Sequence, residues 1–285
     1  MAMATHNKAP GRMRGFTLVE LVVTLVVAAI LSVGVLSYIN DSLRGLVLAR
    51  TQNQLASEAR ALLGRLTVEL YNAVPNSLRI APTGNGNQCL EFIPFSHVST
   101  YVEAPFSEAD DHIDVIATDA SNPLPSGMQV GLHAVLYPIE ANPLYDLDAN
   151  GPVALVDEVD AVPGAPELAR LQLSTTHSFP RRSPLDRVFL SSTPVSFCIE
   201  GKRLYRYAGY GFSPAQCGPA DSGCPLMTAG SKGLLAENID NADLQAFTYT
   251  PGTLQRNGLI LFDLRLRRGD STLALQHELL LRNVP

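Results

Sequence analysis

Oxygen-bearing side chains alternate along one short segment of this chain and could bind a metal ion. Counted from the first of them, they stand at positions one, three, five and twelve: Asp146, Asp148, Asn150 and Asp157. In a calcium-binding loop such ligands converge on one Ca²⁺, a glycine at position six permits the sharp turn, and an acid at position twelve closes the shell. Gly151 stands at that sixth position. The spacing therefore predicts a calcium site, although Pro152 and the strand-like residues 153–156 also fit a solvated turn without an ion.

Other residues with catalytic potential do not form an enzyme motif. No His-Glu-x-x-His spacing occurs among the six histidines, His6, His97, His112, His133, His177 and His277. The sequence also lacks Gly-x-Ser-x-Gly, a P-loop and a dinucleotide fingerprint. We therefore expect no catalytic residue, no required cofactor and no enzyme activity. His277 is expected to be a core histidine, and the Gly-Asp pair in Arg268-Gly269-Asp270 is explained by a two-residue hairpin turn rather than by integrin recognition.

The N-terminal part of the chain combines a basic leader with a long apolar segment. Three basic residues and no acidic residue precede Gly15, and Glu20 is the only charge in residues 16–39. At about 1.5 Å per residue, a helix of that length spans a hydrocarbon core of about 30 Å. The positive-inside rule keeps the leader cytoplasmic and places the bulk of the chain outside. Because the small residue Gly15 precedes the apolar segment, cleavage there would retain the membrane anchor, unlike cleavage of a secretory signal.

The segment Gly15-Phe16-Thr17-Leu18-Val19-Glu20 resembles the prepilin processing motif of type IV pilins and type II secretion pseudopilins. The resemblance implies that a prepilin peptidase cuts between Gly15 and Phe16 and methylates the new amino group of Phe16. It further implies a single-pass protein of the bacterial inner membrane with its C-terminal domain in the periplasm. An inner-membrane pilus assembly platform would then add the protein to other major and minor pilins, in a pilus that reaches the cell surface.

The acidic residue Glu20 requires a cationic partner if it lies inside a membrane. A carboxylate there costs about 2.5–3.5 kcal/mol on insertion scales. After cleavage the free amine of Phe16 is such a partner, either four residues away on the same helix face or on a neighbouring subunit. We therefore predict that Glu20 sets the register during assembly. The alternative is a carboxylate that reaches the cytoplasmic interface without a specific partner.

The four cysteines, Cys89, Cys198, Cys217 and Cys224, all follow the apolar segment. An even set outside the cytoplasmic membrane is typical of disulfides, and three pairings are possible. Cys217 and Cys224 flank a turn-rich Gly-Pro-Ala-Asp-Ser-Gly segment that suits a small closed loop. We therefore favour this pair, which leaves Cys89 with Cys198. A zinc site is disfavoured, because the sequence has no Cys-x2-Cys pair and no histidine nearby with zinc-finger spacing.

The periodicity beyond the apolar segment predicts that one helix continues to about residue 73. One stripe of this helix contains Leu48, Leu55, Ala59, Leu62 and Leu66. Pro75 with Asn76 ends the helix. The net charge of −6 and the pI of about 5.5 argue against nucleic-acid binding, which requires clustered basic residues.

Short runs with β-strand composition, separated by Pro, Gly, Asn and Asp, follow the helix. The predicted strands are 89–93, 113–117, 133–139, 168–174, 195–199, 204–210, 244–250, 259–267 and 272–284. The last three form an antiparallel meander with Leu273, Leu275, Leu279 and Leu281 on one face. The predicted fold is α+β and pilin-like: a long N-terminal α-helix, transmembrane in its first half, packed on a C-terminal antiparallel β-sheet domain. The expected division is a leader (1–15), a transmembrane and assembly helix (16–39), its amphipathic continuation (40–74) and a β-rich head (75–285).

Segments along the head resemble the MshO family of minor pilins, which belongs to the mannose-sensitive haemagglutinin (MSHA) pilus system. They are Arg79-Ile80, Cys89-Leu90-Glu91-Phe92-Ile93-Pro94, Asn142-Pro143-Leu144-Tyr145, Val195-Ser196-Phe197-Cys198, Leu204-Tyr205-Arg206-Tyr207, Gln255-Arg256-Asn257-Gly258-Leu259 and Leu281-Arg282-Asn283-Val284-Pro285. The resemblance implies a minor pilin of an MSHA-type IV fimbrium. A head of this size would crowd a lattice repeated many times, so we expect a role in priming or at the fibre tip.

Two alternatives to the minor-pilin hypothesis stay open. The first is a tip adhesin that binds a surface glycan or protein in cell adhesion; the chain has no Trp for sugar stacking but has nine Tyr. The second is a minor pseudopilin of a type II secretion system, which shares every N-terminal feature. Genomic neighbourhood separates the second alternative from a pilus protein.

Overall fold

The structure, a computed structural model of the chain, describes residues 15–84, 87–117, 131–148, 150–218, 221, 224, 230–253 and 255–281. These residues form one long α-helix and fourteen β-strands. The chain divides into two compact units, Met1–Thr51 and Gln52–Pro285, and each is described by itself. The leader up to residue 14 and the last four residues, 282–285, lie outside the described residues.

In the first unit the helix α1, which extends over Leu18–Tyr71, exposes its apolar side chains. Every residue from Gly15 to Arg50 is solvent-exposed. The helix is long and apolar enough to cross a membrane, and none of its most apolar window is buried. The predicted apolar segment therefore exists as one uninterrupted helix from Leu18 onward.

In the second unit the remainder of α1 buries a stripe at helical spacing. The buried residues are Leu55, Ala59, Leu62, Leu66 and Leu70. Leu48 was predicted on the same stripe, but it lies in the first unit and is 51% exposed. Helical periodicity predicts which face a residue occupies and not where the packing surface begins, and this stripe is buried only from Leu55 onward. After the helix, Asn76 adopts a positive φ of 56°, consistent with the predicted end at Pro75 and Asn76.

The strands follow the helix in chain order. Their bounds are β1 Arg79–Gly84, β2 Asn87–Phe92, β3 Phe95–Glu103, β4 Asp110–Ile116, β5 His133–Leu136, β6 Val153–Val162, β7 Ala165–His177, β8 Arg187–Ser191, β9 Val195–Glu200, β10 Arg203–Ala208, β11 Ser231–Ala236, β12 Phe247–Thr250, β13 Gly258–Arg268 and β14 Ser271–Leu281. A short 3-10 helix, Asn142–Tyr145, lies between β5 and β6.

Two open sheets pack with the helix and form what we call the body. One has the strand order β1-β2-β9-β10-β11 and the other has the order β12-β13-β14. Their strand pairs are antiparallel. The helical stripe and the inner faces of both sheets form one buried apolar cluster, which includes Leu66, Phe197 and Phe262. The predicted α+β architecture, a long helix packed on an antiparallel sheet domain, is therefore confirmed.

The remaining six strands form a closed barrel that the sequence did not predict. Their order is β3-β4-β7-β6-β5-β8, and β8 returns to pair with β3. The barrel occupies Phe95–Ser191, so it is inserted between β2 and β9, which are neighbours in the body's five-stranded sheet. Its interior is a separate apolar cluster that includes Ile113, Leu171 and Leu190.

A third apolar cluster joins the barrel to the body. Its buried members are Val74, Ile93, Val135, Leu144, Tyr145, Val153 and Phe189. Val74 and Ile93 come from the body, and the others come from the barrel and its short 3-10 helix. The Tyr145 hydroxyl also donates a hydrogen bond of 2.7 Å to the carbonyl of Ser77. The barrel is therefore packed on the body and is more than a tethered module.

The C-terminal hairpin has the predicted form. Arg268 pairs with Ser271, so Gly269 and Asp270 form a two-residue turn, and Gly269 has a φ of 58°. Alternate residues of β14 are buried or half-buried, among them the four predicted leucines, whereas Gln276 and Glu278 are exposed. His277 is half-buried and stacks on Phe262 with a centroid distance of 6.4 Å.

Candidate functional sites

The processing motif lies at the start of α1, where the helix has a side-chain cap. Thr17 Oγ1 accepts a hydrogen bond of 3.3 Å from the backbone N–H of Glu20, and Thr17 O accepts one of 3.2 Å from Leu21 N–H. Thr17 is thus the N-cap and Glu20 the third helical residue, the Thr-x-x-Glu spacing of a capping box. A carboxylate in the first turn also interacts favourably with the helix dipole.

The predicted cleavage site precedes this cap. Gly15 and Phe16 lie before the first helical residue, and Phe16 is 72% exposed. A peptidase needs an accessible, non-helical peptide bond, and the Gly15–Phe16 bond meets that requirement. In the uncut chain Phe16 has no free amine, so its pairing with Glu20 remains a prediction about the mature protein.

The structure contains two disulfides, and they join the pairs that the sequence favoured. Cys89 on β2 bonds to Cys198 on β9, its direct partner across the sheet, over a sequence separation of 109 residues. This bond ties together the two strands between which the barrel is inserted. Cys217 bonds to Cys224, and inside that loop Gly218 N–H donates a 2.6 Å hydrogen bond to Asp221 Oδ2.

A buried ion pair lies beside the first disulfide. Arg79 Nε on β1 donates a 2.6 Å hydrogen bond to Glu91 on β2, and the Arg79 guanidinium lies 3.5 Å from the centre of the Tyr145 ring. Its other nitrogens donate to the carbonyls of Ser213 and Pro214. Burial raises the pKa of Glu91, while the hydrogen bonds from Arg79 and Tyr210 oppose that rise. Because every partner is a neighbouring structural element, we interpret this network as structural.

The predicted calcium-binding residues are only partly brought together. Asp146, Asp148 and Asn150 are exposed and line one cavity of about 500 Å³, whereas Asp157 lies in strand β6. Two hydrogen bonds lie among its described residues: Asn150 N–H donates to Asp148 Oδ1, and Gly151 N–H donates to Asp148 O. Calcium binding at these residues remains a prediction.

Another group of side chains has metal-ligand spacing. In the described part of the chain, Asp110, Asp111 and His112 at the start of β4 place their ligand atoms within 4.8 Å of one another. All three are exposed or half-buried, and such exposed acidic groups are common without an ion. Sequence reasoning did not single out this group.

A second cavity, of about 270 Å³, adjoins the first. Its lining contains Tyr137, Ile139, Glu140, Pro143, Asn150, Gly151, Pro152, Pro180 and Arg181. Pro143, Asn150 and Gly151 line both cavities. This two-lobed cleft could not be predicted from the sequence, because its walls come from segments separated along the chain.

Comparison with known proteins identifies the N-terminal region. The prokaryotic N-terminal methylation motif matches residues 11–36. No curated protein and no solved structure matches the chain. The chain thus combines the N-terminal motif of type IV pilins and pseudopilins with a pilin-like α+β architecture. The motif implies processing by prepilin peptidase, association with the membrane and a structural role.

Proposed function

We propose that this chain is a minor pilin of an MSHA-type IV pilus. It is inserted once in the inner membrane, cut between Gly15 and Phe16, methylated at Phe16 and assembled with other pilins through its N-terminal helix. The observation that carries the proposal is the methylation motif at residues 11–36, which overlaps the start of an exposed apolar helix. Such a helix requires either lipid or other helices around it.

The barrel supports a position outside the repeating shaft. It adds the residues Phe95–Ser191 to one side of a body that already has a helix and two sheets. A major subunit must pack against copies of itself at every step of a fibre, and a bulky insertion restricts such packing. We therefore assign the protein to a priming complex or to the fibre tip.

The MSHA-type assignment draws support from where the family-like segments lie. Arg79, Glu91 and Tyr145 come from three different segments that resemble the MshO family, and they meet in one buried network. Cys89 and Cys198 come from two such segments and form a disulfide.

Analysis of the mature N-terminus tests the proposal. The protein is purified from its native host, and its first residues are determined by mass spectrometry. We expect N-methylated Phe16 as the first residue. A chain that retains residues 1–15, or that has lost the apolar helix, would contradict the proposal.

The variant Glu20→Ala separates processing from assembly. We expect normal cleavage but impaired incorporation into pili, because the Phe16 amine that pairs with the carboxylate is free only after cleavage. Asp41→Ala, at an exposed acid in the same helix, is the matched control and should be incorporated normally. Equal incorporation of both variants would contradict the proposed pairing of Glu20 with the Phe16 amine. Recovery in a secretion pseudopilus rather than in pili would favour the pseudopilin alternative.

A further inference from the structure

The two-lobed cleft of the head has one feature that packing alone does not explain. In the described part of the chain, four non-glycine residues have a positive φ: Asn76, Tyr137, Asp186 and Asn238. Asn and Asp tolerate this left-handed region, because their short polar side chains hydrogen-bond locally. Tyr137, with a φ of 46°, is the exception, and it lines the smaller lobe. A strained residue of an unsuitable type at a cavity points to a function for its side chain.

The backbone on both sides of Tyr137 is held in place. Leu136 N–H donates a 3.0 Å hydrogen bond to Pro152 O, and Asn76 Nδ2 donates one of 3.1 Å to Pro138 O. The opposite wall is held by His177, whose Nε2 lies 2.8 Å from Gly151 O. These contacts fix the position of the tyrosine before any ligand arrives. Such preorganisation lowers the entropy cost of binding.

The lining combines an apolar surface with planar polar groups. Tyr137, Ile139 and three prolines supply the apolar part. Glu140, Asn150 and Arg181 supply a carboxylate, an amide and a guanidinium, all on exposed residues. In the described residues, neither Glu140 nor Arg181 forms a salt bridge. Each of these planar groups offers two adjacent hydrogen-bonding atoms, which suits a ligand with neighbouring hydroxyl groups.

The charge of the barrel restricts the ligand further. Residues 95–191 contain fourteen acidic and four basic side chains, a net charge of −10, whereas the whole chain has −6. The neighbouring lobe adds the exposed carboxylates of Asp146 and Asp148. This field repels anions such as phosphates and acidic sugars. It leaves a neutral ligand with hydroxyl groups as the best match.

We propose that the cleft lined by Tyr137, Glu140, Asn150 and Arg181 binds a neutral saccharide, with a sugar ring stacked on Tyr137. The smaller lobe holds one sugar unit, and the larger lobe, which shares Pro143, Asn150 and Gly151 with it, accepts a second unit of a longer glycan. Stacking requires an aromatic side chain in the lining of the lobe, and the half-buried Tyr137 supplies one in spite of its left-handed backbone. This inference goes beyond assembly as a minor pilin and does not depend on where the chain lies in a fibre.

A glycan array tests the proposal with the full chain. The protein is purified in a detergent without a sugar headgroup and is applied, with calcium present, to neutral glycans, acidic glycans and immobilised spermidine. We expect binding to a subset of the neutral glycans and weaker binding to their acidic analogues. Binding to acidic glycans or spermidine alone, or to none of the probes, would overturn the proposal.

Variants then locate the site by calorimetry with the best neutral glycan. Tyr137→Gly removes the ring but suits the positive φ, so we expect a thermal midpoint no lower than that of the unmodified protein and at least about fivefold weaker binding, from lost stacking of about 1 kcal/mol or more. Tyr71→Ala removes an exposed tyrosine on α1 and should leave the affinity unchanged. Arg181→Met should also weaken binding. Unchanged affinity in Tyr137→Gly, with the fold intact, would refute the site even if the protein binds glycans elsewhere.

Discussion

The body and the barrel maintain their structures by different means. The body buries a helix stripe between two open sheets and contains both disulfides. The barrel contains no cysteine, and its sheet closes on itself. The barrel carries a net charge of −10, so all other residues together carry +4.

This contrast follows from how each sheet is connected. A closed sheet has no free edge, and its ring of strand pairs holds the barrel together without a covalent link. In the body the adjacent strands β2 and β9 are separated in sequence by the whole barrel. Their pairing requires closure of a long loop, which costs more entropy than closure of a short one. Because the Cys89–Cys198 bond already holds the two strands together in the unfolded chain, folding does not carry that entropy cost.

Removal of the two disulfides should show the largest effect. By the loop-entropy relation, Cys89→Ala with Cys198→Ala should lower the free energy of unfolding by about 4–5 kcal/mol, and Cys217→Ala with Cys224→Ala by about 2–3 kcal/mol. Urea denaturation followed by circular dichroism measures both losses. Equal losses for the two double variants would show that the long loop created by the barrel insertion does not determine how much the Cys89–Cys198 bond stabilises the protein.

Matched core truncations test whether body and barrel unfold together. Leu66 in the body and Leu171 in the barrel are both fully buried. Leu→Ala at either site should cost about 2–5 kcal/mol. Because a buried cluster joins the two regions, we expect each variant to shift a single unfolding transition. A second transition that moves in only one variant would mean that the regions unfold independently.

The parts of this fold that could be predicted from the sequence are those with local signals. The stripe from Leu55 to Leu66 follows the helical period, and β14 alternates because one of its faces is exposed. In the barrel, strands β4, β5 and β7 fall on predicted runs, whereas β3, β6 and β8 and the closure of the sheet were not predicted. In β8 the residues from Val188 to Ser191 are all buried, so no alternation is visible, and the partner strand β3 is far away in sequence. Strand β11 is mostly exposed and contains Gly233, a poor strand former.

The candidate sites also divide into one with a local sequence signal and one without. The processing motif is contiguous, so its chemistry could be predicted from residue order alone. The cleft brings together Tyr137, Asn150 and Arg181 from three segments, and the positive φ of Tyr137 is a backbone property that residue type argues against. Only the tertiary structure places these side chains at one cavity.

A buried histidine at the junction should make stability depend on pH. His133 on β5 packs against Phe212 of the body, with tilted rings whose centroids are 4.5 Å apart, and burial lowers the pKa of His133 from 6.5 to about 4. The folded state therefore binds the proton less readily than the unfolded chain. The stabilisation is complete above pH 6.5 and is lost as the pH falls towards 4.

The variant His133→Phe should flatten this dependence. In the described structure His133 Nδ1 has no hydrogen-bond partner. Replacing the imidazole by a phenyl ring therefore breaks no hydrogen bond of that atom and keeps the contact with Phe212. Thermal midpoints measured between pH 7 and pH 4.5 should fall less steeply than in the unmodified protein. Burial also lowers the pKa of His177, so some slope should remain. An unchanged slope would exclude His133 as a source of the dependence.

Two arginine variants should give the smallest effects and test the charge contrast directly. Arg170 in the barrel forms two hydrogen bonds with Asp114, of 2.7 and 2.8 Å, whereas Arg268 in the body contacts Glu58 at 3.2 Å through one nitrogen. Surface ion pairs contribute about 0–1 kcal/mol, so neither Arg170→Met nor Arg268→Met should unfold the protein.

The two losses should nevertheless differ in size and in their response to salt. Arg170 is one of four basic residues in a region with fourteen acidic ones, so its removal also increases repulsion among the remaining carboxylates. Salt screens that repulsion, and the loss in Arg170→Met should therefore shrink as sodium chloride is raised, whereas the loss in Arg268→Met should change little. Urea denaturation at low and high salt measures both. If the two variants respond equally, the acidic charge of the barrel is too widely spaced to act as a unit, and its influence on ligand choice in the cleft weakens accordingly.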